Sequence, residues 1–79
     1  MPRYFFDIHD GGPQRDDTGT ELADLDDVRA RVRRLLPDLA RDDLGADGDR
    51  RVFTVLVTDE DGRGVYAATL NFTGMRLSR

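Results

Sequence analysis

The chain has 79 residues and contains no cysteine, no lysine and no tryptophan. Without cysteine, neither disulfides nor a thiolate metal site can brace it, and a thiol nucleophile is excluded. Serine occurs once, as Ser78, with no G-x-S-x-G elbow around it, which argues against a serine–histidine hydrolase. No glycine-rich phosphate loop with its lysine precedes a helix. No apolar run approaches the roughly 20 residues needed to span a bilayer. Met1–His9 carries Asp7 as well as Arg3, and no small-residue cleavage site follows it. It does not read as a signal peptide, and the expected compartment is the cytoplasm.

What is present is charge of both signs. Sixteen acidic residues outweigh twelve basic ones, all arginine, for a net charge of -4. Nucleic-acid binders usually carry a basic balance, so this one points away from them. The arginine-for-lysine bias matches codon usage in a GC-rich genome. A demand for guanidinium forks is the sharper reading, but it does not explain an absence running the whole length. A chain this short buries only roughly 60% of its unfolded surface. It is expected to form one domain, residues 1–79, with a thin core of helix packed on sheet.

Periodicity locates the elements. Tyr4, Phe6 and Ile8 alternate with Arg3, Phe5, Asp7 and His9, the period of a strand with one face on a core. Asp10, Gly11, Gly12 and Pro13 are turn residues. A short polar strand is expected between Gln14 and Glu21 at a sheet edge, with Gly19 marking a bulge. Asp24 is an N-cap with Asp27 at N3, a capping box built with Asp. Leu25, Val28, Val32, Leu35, Leu36 and Leu39 form one apolar stripe at helical spacing. Asp27 and Arg31 are spaced as a favourable pair. Gly45 is the natural C-cap. Pro37 falls inside the pattern, which predicts a kink or a break into a second short helix. A loop over Ala46 to Arg50 precedes strands at Val52–Thr58 and Val65–Phe72. Asp61-Gly62 is the strongest hairpin signal between them. Phe53, Val55 and Val57 share one face with Tyr66, Ala68, Leu70 and Phe72. Residues 73–79 read as a tail.

The expected fold is therefore α+β, a four-stranded antiparallel sheet of ββαββ order with one kinked helix on one face. A crossover that skips strand 1 gives the strand order 2-1-3-4. The other sheet face has no cover within the chain.

Candidate chemistry is sparse. His9 stands near Asp7, Asp10, Asp16 and Asp17, a setting for a metal or acid–base site. No second histidine exists, and the aspartate spacing fits no ligand loop. Asp47-Gly48-Asp49 and Asp59-Glu60-Asp61-Gly62 lack the calcium-loop pattern and read as tight turns. The expectation is no metal, no cofactor and no catalytic set. Arg29, Arg33, Arg34 and Arg41 lie off the apolar stripe and, with Arg50 and Arg51, are the candidates for anion binding. Asp26, Asp38 and Asp42 dilute them. Phe5, Val52, Leu56 and Val65 fall on the sheet face away from the helix. A contiguous apolar patch there is a candidate interface.

These residues resemble a family of small bacterial proteins known only as a domain of unknown function. The likeness rests on Met1-Pro2-Arg3-Tyr4-Phe5-Phe6, the Asp10-Gly11 turn, Asp17, Gly19, Glu21-Leu22 and Asp24-Leu25. It continues through an Ala/Arg-rich helix ending near Asp42-Asp43-Leu44 and closes on Val57-Thr58-Asp59-Glu60-Asp61-Gly62. The resemblance implies a compact α+β domain and brings no activity or site residues. Pro37 departs from the uninterrupted helix usual in that family. The functional expectation is a non-catalytic module that binds a protein partner or itself, through the open sheet face or an edge strand. Arginine-mediated nucleic-acid or anion binding is the alternative, and a small site around His9 the second.

Overall fold

The computed structural model describes residues 1–43 and 50–77, with Asp43 described by its backbone alone. The expected cap at Gly45 and most of the loop after it lie outside the described residues. The elements are β1 (Arg3–His9), β2 (Pro13–Gln14), β3 (Thr20–Glu21), α1 (Leu25–Asp43), β4 (Arg50–Thr58) and β5 (Gly64–Thr73). The class is α+β: an antiparallel sheet with one helix on one face.

The order is β2-β1-β4-β5, with β3 also paired to β1. The expected second strand is thus two fragments of two residues each, both on the same edge of β1. Ile8 faces Gln14 and Tyr4 faces Thr20, so the chain between them leaves the ladder and returns to it. β4 lies on the other side of β1 in the register Phe6–Val57 and Ile8–Val55. The connection from β3 to β4 therefore passes over β1, as the handedness argument required a skipped strand.

The core is Tyr4, Phe6, Val28, Val32, Leu36, Ala40, Phe53, Val55 and Val57. Alternation along β1 and β4 sends these side chains to the helix face, and the 3.6-residue period of α1 aims its stripe back at them. Two positions differ from the pattern. Leu25 is in phase but sits in the first turn and is exposed, whereas Ala40 is buried at the far end. α1 packs chiefly on β4 and β5, which leaves it displaced from β1.

The cap forms with a shift. Asp24 Oδ1 accepts the Asp27 N–H at 3.0 Å, as expected of an N-cap. Asp27 returns its carboxylate to the Ala23 N–H at 3.3 Å, one residue before the cap. That use replaces the expected ion pair with Arg31.

Pro37 does not split the helix, which is one element from Leu25 to Asp43. Pro37 and Arg33 are both on the exposed side. The Arg33 carbonyl deprived of its donor therefore faces water, which offsets part of the cost.

The hairpin turn is wider than a two-residue loop. The Gly62 N–H donates to the Asp59 carbonyl at 3.0 Å, so the turn centres on Glu60 and Asp61, with Gly62 at φ +82°. Asp59 Oδ1 accepts the N–H groups of Asp61 and Arg63 at 2.9 and 3.0 Å. The strands also begin earlier than expected, at Arg50 and Gly64.

Replacing Pro37 with Ala restores a donor inside α1. Pro37→Ala should stabilise the fold by about 2 kcal/mol. The melting temperature followed by circular dichroism should rise by roughly 5–15 °C. An unchanged or lower value would contradict this account of the helix.

Candidate functional site

The two edges of the sheet are built differently, and the difference comes from Asp16. Between β2 and β3 the outer edge of β1 has no strand partner, yet the Phe6 N–H is satisfied. Asp16 Oδ2 accepts it at 3.0 Å. Asp16 Oδ1 accepts the N–H groups of Thr18 and Gly19, each at 3.0 Å. The Asp16 N–H in turn donates to Asp7 Oδ1 at 2.9 Å. One carboxylate thus stands in for a missing stretch of ladder.

Gly19 closes this loop at φ +77°, the left-handed region open to glycine. A Cβ there would lie 2.7 Å from Arg3 Cγ and 2.9 Å from Phe5 Cε2. The loop is therefore pressed against β1. Arg3 also ties it down, donating to the Thr18 carbonyl at 2.9 Å and pairing with Glu21 at 3.0 Å. Burial pushes the Asp16 carboxyl upward, but the N–H donors of Gly19, Phe6 and Thr18, with the Arg31 charge, bring it below its ordinary value.

This arrangement engages two of the four aspartates named near His9. Asp7 and Asp16 are both turned to backbone N–H groups. His9 is exposed, at the end of β1, in a shallow recess with Asp10, Gly11, Arg50, Arg51, Val52 and Thr54. Among the described residues no set of three or more His, Asp or Glu side chains is gathered as metal ligands would be.

The face away from the helix carries less apolar surface than the strand pattern implied. Phe5 is half-buried, with Gly19 packed against its ring. Val65 is drawn out of the patch by a bulge. Val57 faces Tyr66 and Thr58 faces Gly64, which leaves Val65 as the extra residue, packed against the core cluster. Val52 and Leu56 remain exposed, at 51% and 44%. Around them lie Thr54 and Thr69, whose hydroxyls are 3.3 Å apart.

The opposite edge is open. β5 is the last strand in the sheet, and among the described residues nothing pairs with its outer side. Its sequence from Gly64 to Thr73 contains no charged residue and no proline. Phe72 is 40% exposed, and Met75 and Leu77 just beyond the strand are more so.

The arginines divide. Arg41 is held by Asp38 at 2.9 Å. Arg29 and Arg33 lie exposed on the helix, while Arg34 joins Arg31 along the cleft between α1 and β1. Arg31, expected to pair with Asp27 and not among the anion-binding candidates, stacks 5.7 Å above the Phe6 ring. Arg51 donates to the Asp10 carbonyl at 3.0 Å and lies 5.2 Å from the Phe53 ring centre, so it serves the fold.

The sequence profile of a family described as a domain of unknown function, DUF6894, matches residues 3–71. The chain belongs to this family. No curated protein and no solved structure matches it. The DUF6894 match runs from the first residue of β1 to Asn71 of β5, so it takes in both the Asp16 loop and most of the open edge. No helix of the domain, among the described residues, is long and apolar enough to cross a membrane.

Asp16 invites two measurements. Asp16→Ala leaves three N–H groups without an acceptor and should cost about 2 kcal/mol in chemical denaturation. The second is pH dependence. The folded carboxyl ionises at lower pH than the unfolded one. Its stabilisation is fully present above the ordinary carboxylate range, near about pH 4, and is lost as pH falls through the lowered folded value. Asp16→Asn should therefore lose less stability than wild type between about pH 6 and about pH 3. Parallel curves for the two proteins would refute this role.

Proposed function

We propose that the domain is a non-catalytic interaction module that self-associates by strand addition along β5. The observation that carries this reading is the outer edge of β5. It presents ten residues of backbone with no charge, no proline and no covering element among the described residues. Such an edge is a template for another strand, and proteins normally blunt it with charge, proline or a bulge. The single bulge lies at the Gly64 end and leaves most of the strand regular. Backbone pairing would supply the affinity, and side chains at alternate positions the selectivity. Leu70 and Phe72 on one face and Ala67, Thr69 and Asn71 on the other carry no like charges to oppose one another in a paired copy.

The exposed Val52 and Leu56 on β4 widen the apolar surface next to this edge. Nucleic acid has less to favour it. Arg41 is paired to Asp38, the net charge is -4, and Phe72 is the only aromatic residue among the exposed large side chains of the described residues. Stacking on bases needs exposed rings interleaved with arginine. A cytoplasmic location belongs to the same reading, supported by the absence of cysteine.

Sedimentation velocity decides the matter. Wild type should pass from monomer to dimer as concentration rises from about 10 µM to about 1 mM, a range common for weak edge contacts. Thr69→Lys combined with Asn71→Lys places charge on exposed positions of β5. It should hold the protein monomeric while leaving its melting temperature close to wild type. A wild type that stays monomeric across the whole range would exclude self-association.

A further inference from the structure

A cleft of about 670 Å³ lies between α1 and the outer half of β1, within the size range of small-molecule sites. It exists because α1 packs chiefly on β4 and β5 and covers β1 only in part. Its apolar lining is Phe6, Ile8, Leu22 and Leu35. Ile8, Leu22 and Leu35 are only partly buried, so an apolar guest would remove further surface from water.

The charged groups around this lining are not balanced in their bonding. Of the three carboxylates, Asp16 accepts three backbone N–H groups and Asp27 accepts that of Ala23. Asp38 is paired with Arg41. The two guanidiniums are less engaged. Arg31 rests over the Phe6 ring, and Arg34 has neither a hydrogen bond nor an ion pair among the described residues. The donors of Arg34 therefore stand unfilled beside an apolar wall, while the nearby acceptors are occupied. A guanidinium fork matches a carboxylate in shape and charge.

The geometry points to a binding site for a small organic acid, a carboxylate carried on an aliphatic or aromatic body. The carboxylate pairs with Arg34, with Arg31 as the neighbouring charge. The body lies along Ile8, Leu22 and Leu35 against the Phe6 ring. The site faces the helix side of the sheet, so it is independent of pairing through β5.

Octanoate is a suitable probe, with octan-1-ol and octylammonium as its neutral and cationic counterparts. Titrations followed by two-dimensional amide NMR should show saturable 1:1 binding of octanoate, with Kd on the order of 1 mM for a ligand of this size. Shifts should concentrate at Ile8, Leu22, Leu35 and the centre of α1. Arg34→Gln, an exposed position that should not disturb the fold, should weaken octanoate about ten-fold and leave octan-1-ol unchanged. Arg34→Lys should recover part of the loss. Octylammonium should bind more weakly than octanoate. Equal affinity for all three probes, shifts confined to β5 or the far sheet face, or no saturable shift up to about 10 mM would each overturn the assignment.

Discussion

The sheet depends on one carboxylate doing the work of backbone. Asp16 accepts the Phe6 N–H at the point where the edge of β1 would otherwise lie bare, and ties Thr18 and Gly19 into the same knot. Strand fragments of two residues would be too short to hold an edge alone. Joined through Asp16, they cover β1 along its length. Leu22, whose N–H donates to the Pro2 carbonyl at 3.1 Å, then enters the layer beneath the helix. The start of α1 follows three residues later.

The position of the helix is the second consequence. The fully buried residues, Val28, Val32, Phe53, Val55 and Val57, all belong to α1 and β4. That is where a thin core reaches full density. β1 contributes Tyr4 and Phe6 at its margin, and the margin stays open as a cleft. The bulge at Val65 acts in the same direction on the other flank. It turns a residue of alternating phase back to the core and shortens the exposed apolar face.

Much of this was legible beforehand. The period-two alternation of Arg3–His9 and Val52–Thr58, and the stripe from Leu25 to Leu39, identify the strands, the helix and their facing sides. The N-cap at Asp24 was legible because it needs only its own N3 residue. What the pattern could not show arises from contacts between distant segments. Asp16 lies in an Asp-Asp-Thr-Gly run that signals a turn, but its partner Phe6 is ten residues away. The bulge depends on how Gly64 is paired, which alternation cannot report. Of the four residues assigned to the open face, Val52 and Leu56 are exposed, Phe5 lies under Gly19, and Val65 has been withdrawn. Among the arginines, Arg31 and Arg34 are neighbours by their i,i+3 spacing on α1, and the cleft they share lies between that helix and β1. Arg34 was named from the pattern as an anion-binding candidate, whereas Arg31 was read only as the partner of Asp27.

The unequal edges have a consequence for stoichiometry. A sheet open on both sides offers two sticky rims and can grow without end, as fibrils do. Here the β1 rim is closed by Asp16 and the two fragments beside it. Among the described residues β5 is the rim left open, so in the proposed self-association each copy offers one such edge. Addition of a copy by a two-fold axis consumes both available rims and ends the assembly at two. In the proposed self-association, the short acidic loop that first reads as mere connection is thereby also a terminator: it closes the rim along which pairing would otherwise continue.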